Sequence, residues 1–463
     1  MHAGPAAAFV AGKVPSGQGA TRVHVRQRGR RPKAQCGRHA AAHTILSTLL
    51  RASTLAPFRI RSYRFQWPAD LATSWAFEME TLILGWYVLV ETGSVLLLTV
   101  FASLQHIGTL VSPMVGVFGD RVGQRNLLCA MRTVYATLAT TLMILAFSGM
   151  LTPAYVLMIA GVMGLVRPSD IGMRAALVGE TMPPAHIMGA MSIQRTTQDS
   201  ARIAGALTGA GLVAVLGMGP AYTVVASLYV TSVVLTLQTG ARRAPRHDAQ
   251  RAAAPSPWRD LKQGLVYVWR TPQIFSIMCL AFLLNLTAFP LMTGLMPYVA
   301  KAVFQADQTW LGYMVASAAS GALLGSLVLS RYGGSVRAGR MVVVFSIGWY
   351  AMLLLFSQLE NPALGLGALV LAGCAQSLSQ VPMAAMLLRG ADEQYRGRVM
   401  GIRMLAIYGN LPGLLLSGPL ISHFGYPLTA ALYCLVGATL MIALTAYWRA
   451  HLWHLDAAAN RRG

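Results

Sequence analysis

Charge is what this chain has least of. Only 11% of its 463 residues are Asp, Glu, Lys or Arg, whereas a soluble domain carries about a quarter. An ordinary soluble globular fold is excluded on that ground. Lysine occurs only at Lys13, Lys33, Lys262 and Lys301, so the basic content is nearly all arginine. Acidic residues number 15 against 37 basic ones, and none precedes Asp70. The five cysteines, Cys36, Cys129, Cys279, Cys374 and Cys434, stand far apart, which excludes metal or redox spacing among them. No nucleotide loop and no His/Asp/Glu cluster lies in a polar loop, so the reading is no enzyme, no cofactor and no metal. Residues 1–66 lack the uninterrupted apolar stretch of a secretory signal and are expected to be a disordered basic extension.

What is present is apolar. Hydrophobic residues make up 55% of the chain, and the mean hydropathy is +0.54. Runs of about 20 apolar residues recur, the mark of a helical membrane protein. In lipid the backbone must bond to itself, which leaves helices or a closed barrel. These runs are too long and continuous for barrel strands. The expectation is twelve transmembrane helices, at about 67–90, 94–118, 126–147, 153–177, 189–217, 220–240, 273–300, 310–330, 340–357, 363–388, 399–421 and 427–448. They divide into a first six-helix bundle (67–240), a linker (241–272), a second six-helix bundle (273–450) and a tail (451–463). Within the linker, Trp258 to Trp269 reads as an interfacial amphipathic helix.

Net charge is +22, yet the arginines cluster in alternate loops, as topology signals do, and no nucleic-acid partner is expected. Arg121 and Arg125, the linker, then Arg331, Arg337 and Arg340, then Arg389, Arg396 and Arg398 fall on one side. Lys301 is the only basic residue in the loops of the other side. This asymmetry is expected to put both termini in the cytoplasm, in a bacterial inner (plasma) membrane.

Between the second and third spans lies Gly116-Val-Phe-Gly-Asp120-Arg121-Val-Gly123-Gln-Arg125, echoed by Ser326-Leu-Val-Leu-Ser330-Arg331-Tyr-Gly333-Gly334. Arg167-Pro168 answers Val381-Pro382, and Met188-Gly189 answers Met400-Gly401, at offsets of about 210 to 214 residues. Parallel six-span halves around a midplane site are a transporter plan.

Twelve spans, a basic central linker and Gly-x-x-x-Asp-Arg-x-Gly after the second span resemble the major facilitator superfamily. Gly85-Trp86-Tyr87-Val88, Ala201-Arg202-Ile203-Ala204-Gly205, Arg396-Gly397-Arg398-Val399-Met400-Gly401 and Pro412-Gly413-Leu414-Leu415 are similar to the branch containing the enterobactin exporter and the macrolide-efflux proteins. Ala206 stands where that branch usually has proline. The resemblance implies a pseudo-symmetric all-α membrane fold and a turn at Gly116, Asp120, Arg121, Gly123 and Arg125 that latches the halves. The expected partners are a small-molecule substrate, protons and membrane lipid, and the expected state is a monomer.

Charges inside a span cost about 2.5 to 3.5 kcal/mol each, so each needs a reason. Arg167, Asp170 and Arg174 lie at i, i+3 and i+7 on the fourth span, as do Arg195, Asp199 and Arg202 at i, i+4 and i+7 on the fifth. Each carboxylate is expected to pair with arginines of its own helix face, as structure, as gate or in contact with substrate. Ser74, Glu78, Thr81 and Gly85 make one stripe of the first span, with no basic residue within two turns of Glu78. A carboxyl withdrawn from water without a cation keeps its proton more readily. Glu78, and after it Glu80, is therefore the candidate proton carrier; a neutral, hydrogen-bonded Glu is the plain alternative. In the second half the deepest polar groups are Asn285, Gln376, Gln380 and Asn410, beside Phe289, Met292, Met296 and Tyr298. A cavity acidic on one wall and apolar on the other suits an amphipathic organic molecule, although packing alone would place Met and Phe at that spacing. The function expected is proton-coupled efflux by alternating access. A lipid flippase or an uptake symporter of the same fold is the rival, and a non-transporting scaffold is the rival of another class.

Overall fold

A chain that cannot hydrogen-bond to lipid satisfies itself in helices, and a helix stands at each of the twelve expected spans. In the computed structural model, residues 56–109, 122–240, 257–332, 337–392, 399, 402–403 and 406–449 are described. The first six helices are α1 (Arg61–Thr92), α2 (Val95–Leu104), α3 (Gln124–Phe147), α4 (Pro153–Thr181), α5 (Pro184–Leu216) and α6 (Met218–Leu237). A linker helix α7 (Pro257–Arg270) follows. The second set is α8 (Pro272–Thr287), α9 (Gln308–Tyr332), α10 (Ala338–Gln358), α11 (Pro362–Gly390), α12 (Asn410–Phe424) and α13 (Tyr426–Tyr447). No strand occurs among the described residues. Eight of these helices are individually long and apolar enough to cross a membrane. The first helix is not among them, because Asp70, Glu78 and Glu80 lie within its length.

Several boundaries differ from expectation. The first span begins six residues early, at Arg61 after a 3-10 turn at Ala56–Arg59, so residues 56–66, expected within the disordered extension, are mostly helical. The second span breaks after Leu104: the chain turns at Gln105 and His106 and makes a short 3-10 turn at Ile107–Thr109. The seventh ends its regular helix at Thr287, and prolines 290 and 297 cut the continuation into short turns to Val303. The fifth begins five residues early, because Pro184 opens the helix instead of belonging to a connection.

Each half has its own apolar core. In the first, Met79, Ile83, Phe101, Leu142, Val156, Tyr222 and Tyr229 interlock; in the second, Leu284, Leu291, Met296, Trp349, Leu369 and Met383 do. Leu82, Val95, Ala206 and Ala210 of the first half join the second core. The packing plan repeats, with α3 against α6 and its counterpart α10 against α13. The halves meet through α2 on α12 and α5 on α9. On that second seam Gly312 lies against Ala206 and Ala210.

The signature turn is only partly within the described residues. Gly116, Asp120 and Arg121 lie outside them, as do the N-terminal extension through residue 55, linker residues 241–256 and the tail. Gly123 has φ +93, a value L side chains rarely adopt, and caps the start of α3. Arg125 donates to the Leu237 carbonyl and so ties the start of α3 to the end of α6.

Candidate functional site

The first half holds two polar clusters. The more buried one joins α1, α3, α4 and α6 through four buried charges. Arg132 is wholly buried and bonds both the Asp70 carboxylate and the Thr236 hydroxyl. Arg174 meets Asp170 at 2.5 Å and Asp70 at 3.8 Å, while Arg132 stands 3.9 Å from Asp170. Arg174 also donates to Ser74 Oγ at 2.7 Å, and Gln66 donates to the Arg174 carbonyl at 3.1 Å. Two carboxylates and two guanidinium groups make the cluster neutral, which is how charges survive burial.

The second cluster lies on α1 where α5, α4 and the end of α2 approach it. Gly205 makes it possible: a Cβ there would stand 2.7 Å from Glu78 Cβ and 3.1 Å from the Trp75 carbonyl. The missing side chain lets α5 lie directly on α1. Arg202, three residues earlier on α5, is thereby brought to 3.8 Å from Glu78. This corrects the expectation that Glu78 lacks a cation: spacing along α1 is blind to a partner delivered by α5. Both side chains of the pair are partly exposed.

Glu80 is placed otherwise. It is 3% exposed and accepts a hydrogen bond from Tyr229 at 2.9 Å, while its other oxygen has no hydrogen-bond partner. The Tyr222 hydroxyl, also buried, faces the same carboxyl. Glu80 lines a pocket with Phe77, Thr81, Gln105, Met163 and Arg167. There Gln105 Oε1 accepts from Arg167 at 3.0 Å and from Thr81 at 3.2 Å. The Arg167 guanidinium lies over the Phe77 ring. No carboxylate stands within ion-pair distance of it among the described residues.

The two helix-borne charge triplets therefore divide. Asp170 keeps Arg174, one turn away, while Arg167 turns to α1 and α2. Asp199 keeps Arg195 at 3.2 Å, while Arg202 crosses to Glu78. Pairing within each helix face was expected of all four arginines; it holds for Arg174 and Arg195 and fails for Arg167 and Arg202, to which neighbouring helices offer partners.

At the break in α2 adjacent side chains part company. Gln105 serves the pocket, and His106 reaches the second half. His106 Nδ1 bonds the Ala102 carbonyl at 3.0 Å, so Nδ1 carries the hydrogen, and Nε2 accepts from Asn410 at 3.1 Å. Of the second-half candidates, Asn410 alone reaches a first-half side chain by an assigned bond. Asn285 is buried and donates to Ala281 of its own helix. Gln376 and Gln380 are half-buried on α11, and the Gln380 amide nitrogen has no partner. Phe289 packs edge-on to Trp349 at 5.1 Å, and Met292 and Met296 are buried in the core. Packing, the plainer alternative, is what these apolar residues do.

Arg132, Gln105, His106 and Tyr229 escaped the sequence reading. For Arg132 a signal existed: α3 has no acid to balance it, and Asp70 has no base on the nearest turns of α1.

Residues 71–409 match the family model of the Major Facilitator Superfamily. Among solved structures, the nucleoside transporter NupG is similar at 15% identity and TM-score 0.63, covering 82% of this chain and 98% of that one. A POT family transporter in complex with 5-aminolevulinic acid is similar at 9% identity and TM-score 0.64, covering 85% and 97%. A D-xylose-proton symporter is similar at 13% identity and TM-score 0.61, covering 82% and 96%. At these identities the likeness is one of fold. No curated protein matches the sequence.

Proposed function

Because the chain belongs to the Major Facilitator Superfamily of membrane transporters, we propose that it is a proton-coupled exporter of a small amphipathic organic molecule. A proton taken up on Glu80 exchanges for cargo as the two halves rock about the central seam. The observation that carries this reading is Glu80 itself: a buried carboxyl beside a pocket, held by one tyrosine, with one oxygen unclaimed. Glu78, the residue to which sequence points first, takes second place because Arg202 already balances it. The Glu78–Arg202 and Arg195–Asp199 pairs act as gate contacts, and the Gly116–Arg125 turn acts as the latch. Export over uptake rests on the residues shared with the exporter branch, Gly85 to Val88 and Ala201 to Gly205 among them.

The test uses full-length protein in proteoliposomes and a panel of amphipathic dyes under an imposed proton gradient. Glu80→Gln abolishes gradient-driven dye movement and leaves dye exchange at equal pH intact. Gradient-driven movement at the wild-type rate in that variant would remove Glu80 from the coupling role. One observation favours a second reading, uptake with protons. Among the described residues Arg167 has no carboxylate within ion-pair distance, and an anionic cargo seated there would favour the proton on nearby Glu80. Protons moving with the cargo, and not against it, would decide for symport.

A further inference from the structure

The helix between the halves runs across the end of the second half. α7 meets α8 at 105°, so with α8 crossing the bilayer, α7 lies near the membrane plane. Its side chains divide accordingly. Val268 is buried against the protein, whereas Leu265, Val266 and Trp269 are exposed, Trp269 by 72%. An independent observation fixes its depth. Trp269 meets Phe275 at 4.8 Å, Phe275 meets Trp448 at 5.7 Å, and Trp448 meets Tyr447 at 5.4 Å, all edge-on. These rings come from α7, the first turn of α8 and the end of α13, and they form one row. Tryptophan and tyrosine collect where acyl chains give way to headgroups, which puts α7 at that level. Three exposed basic residues, Lys262, Arg270 and Arg449, lie on these same two stretches of chain. Among the residues whose side chains are described, which do not include Asp260, no acid is within ion-pair distance of any of them. The sequence ahead of α7 adds Arg242, Arg243, Arg246 and Arg251.

We infer that α7 and the aromatic row form a binding surface for anionic phospholipid in the leaflet next to the linker. Leu265, Val266 and Trp269 enter the acyl boundary, and Lys262, Arg270 and Arg449 take the headgroup phosphates. An apolar face edged by arginine and lysine has the chemistry of an interfacial helix, and each basic residue near an anionic surface adds attraction. Charge decides the lipid class: a zwitterionic bilayer satisfies the apolar face equally well but offers three exposed cations no net negative charge.

The test is native mass spectrometry of full-length protein released from nanodiscs of equal parts phosphatidylglycerol and phosphatidylcholine. Wild type is expected to retain phosphatidylglycerol over phosphatidylcholine by about tenfold. Lys262→Gln/Arg270→Gln/Arg449→Gln is expected to bring that ratio near one with phosphatidylcholine unchanged. An unaltered preference in the triple variant overturns the proposal. Depth is read separately from the fluorescence difference between wild type and Trp269→Phe, a variant that keeps the ring. Phosphatidylglycerol brominated on its acyl chains is expected to quench that difference. Quenching by aqueous iodide instead would place α7 in water. Equal quenching by brominated phosphatidylcholine in the mixed bilayer would remove the anionic preference. Both results contradict the assignment.

Discussion

The two halves share a helix plan and differ in where they keep charge. Between their end turns, α8 to α13 contain no Asp, Glu, Lys or Arg, whereas α1, α3, α4 and α5 hold Asp70, Glu78, Glu80, Arg132, Arg167, Asp170, Arg174, Arg195, Asp199 and Arg202. Buried polar groups of the second half are neutral and short-range, such as Ser346 with Ser379 at 2.6 Å and Thr287 with Tyr350 at 2.6 Å. Intramembrane charge is costly enough that its concentration in one half, with Arg403 the half-buried exception in the other, points to that half for the charge-dependent work. In the proposed rocking mechanism the second half is the largely neutral wall of the seam. Contact between them is mostly small and apolar, through Ala206, Ala210 and Gly312, with His106–Asn410 as a polar tie.

The largest expected effect breaks this contrast at its deepest point. Arg132→Met strips Asp70 of its closest partner, and removing one member of a buried pair costs about 3 to 5 kcal/mol. Thermal unfolding in detergent should show a large loss of midpoint temperature. Ser346→Ala, removing a neutral pair in the second half, should cost about 1 kcal/mol. Equal losses would mean that the charge asymmetry has no structural weight. Next comes Gly205→Leu, which forces α5 off α1; overpacking of this kind costs about 1 to 3 kcal/mol. Gly211→Ala, where nothing stands within 4 Å, should stay within about 0.5 kcal/mol, and the same melts test it. Among the variants that remove a contact, the smallest effect belongs to Arg202→Gln. The Glu78–Arg202 pair is part-exposed at 3.8 Å, so its loss should cost about 0.2 to 1 kcal/mol. Its consequence should appear in transport rate, and a fold-breaking loss of stability would contradict a gate role.

Much of the architecture was legible because lipid leaves few choices. Span count, the linker helix and the polar stripe of α1 all follow from hydropathy and helical spacing. Partners were legible only along one helix. Ser74, Glu78 and Thr81 do share a face, but what each touches comes from α4, α5 and α2 respectively. Thus the sequence pointed to Glu78 as the lone acid, while the acid without a cation at ion-pair distance is Glu80, closed in by Tyr229 from α6. Periodicity cannot reveal the break at Gln105 and His106 either, because both residues sit in a run whose composition reads as continuous helix.

The central claim is that the proton resides on Glu80, and infrared difference spectroscopy of the reconstituted protein tests it without any cargo. A pH jump should produce a protonated-carboxyl band that disappears in Glu80→Gln and persists in Glu78→Gln. A band untouched by Glu80→Gln, or one lost in Glu78→Gln, would contradict the account.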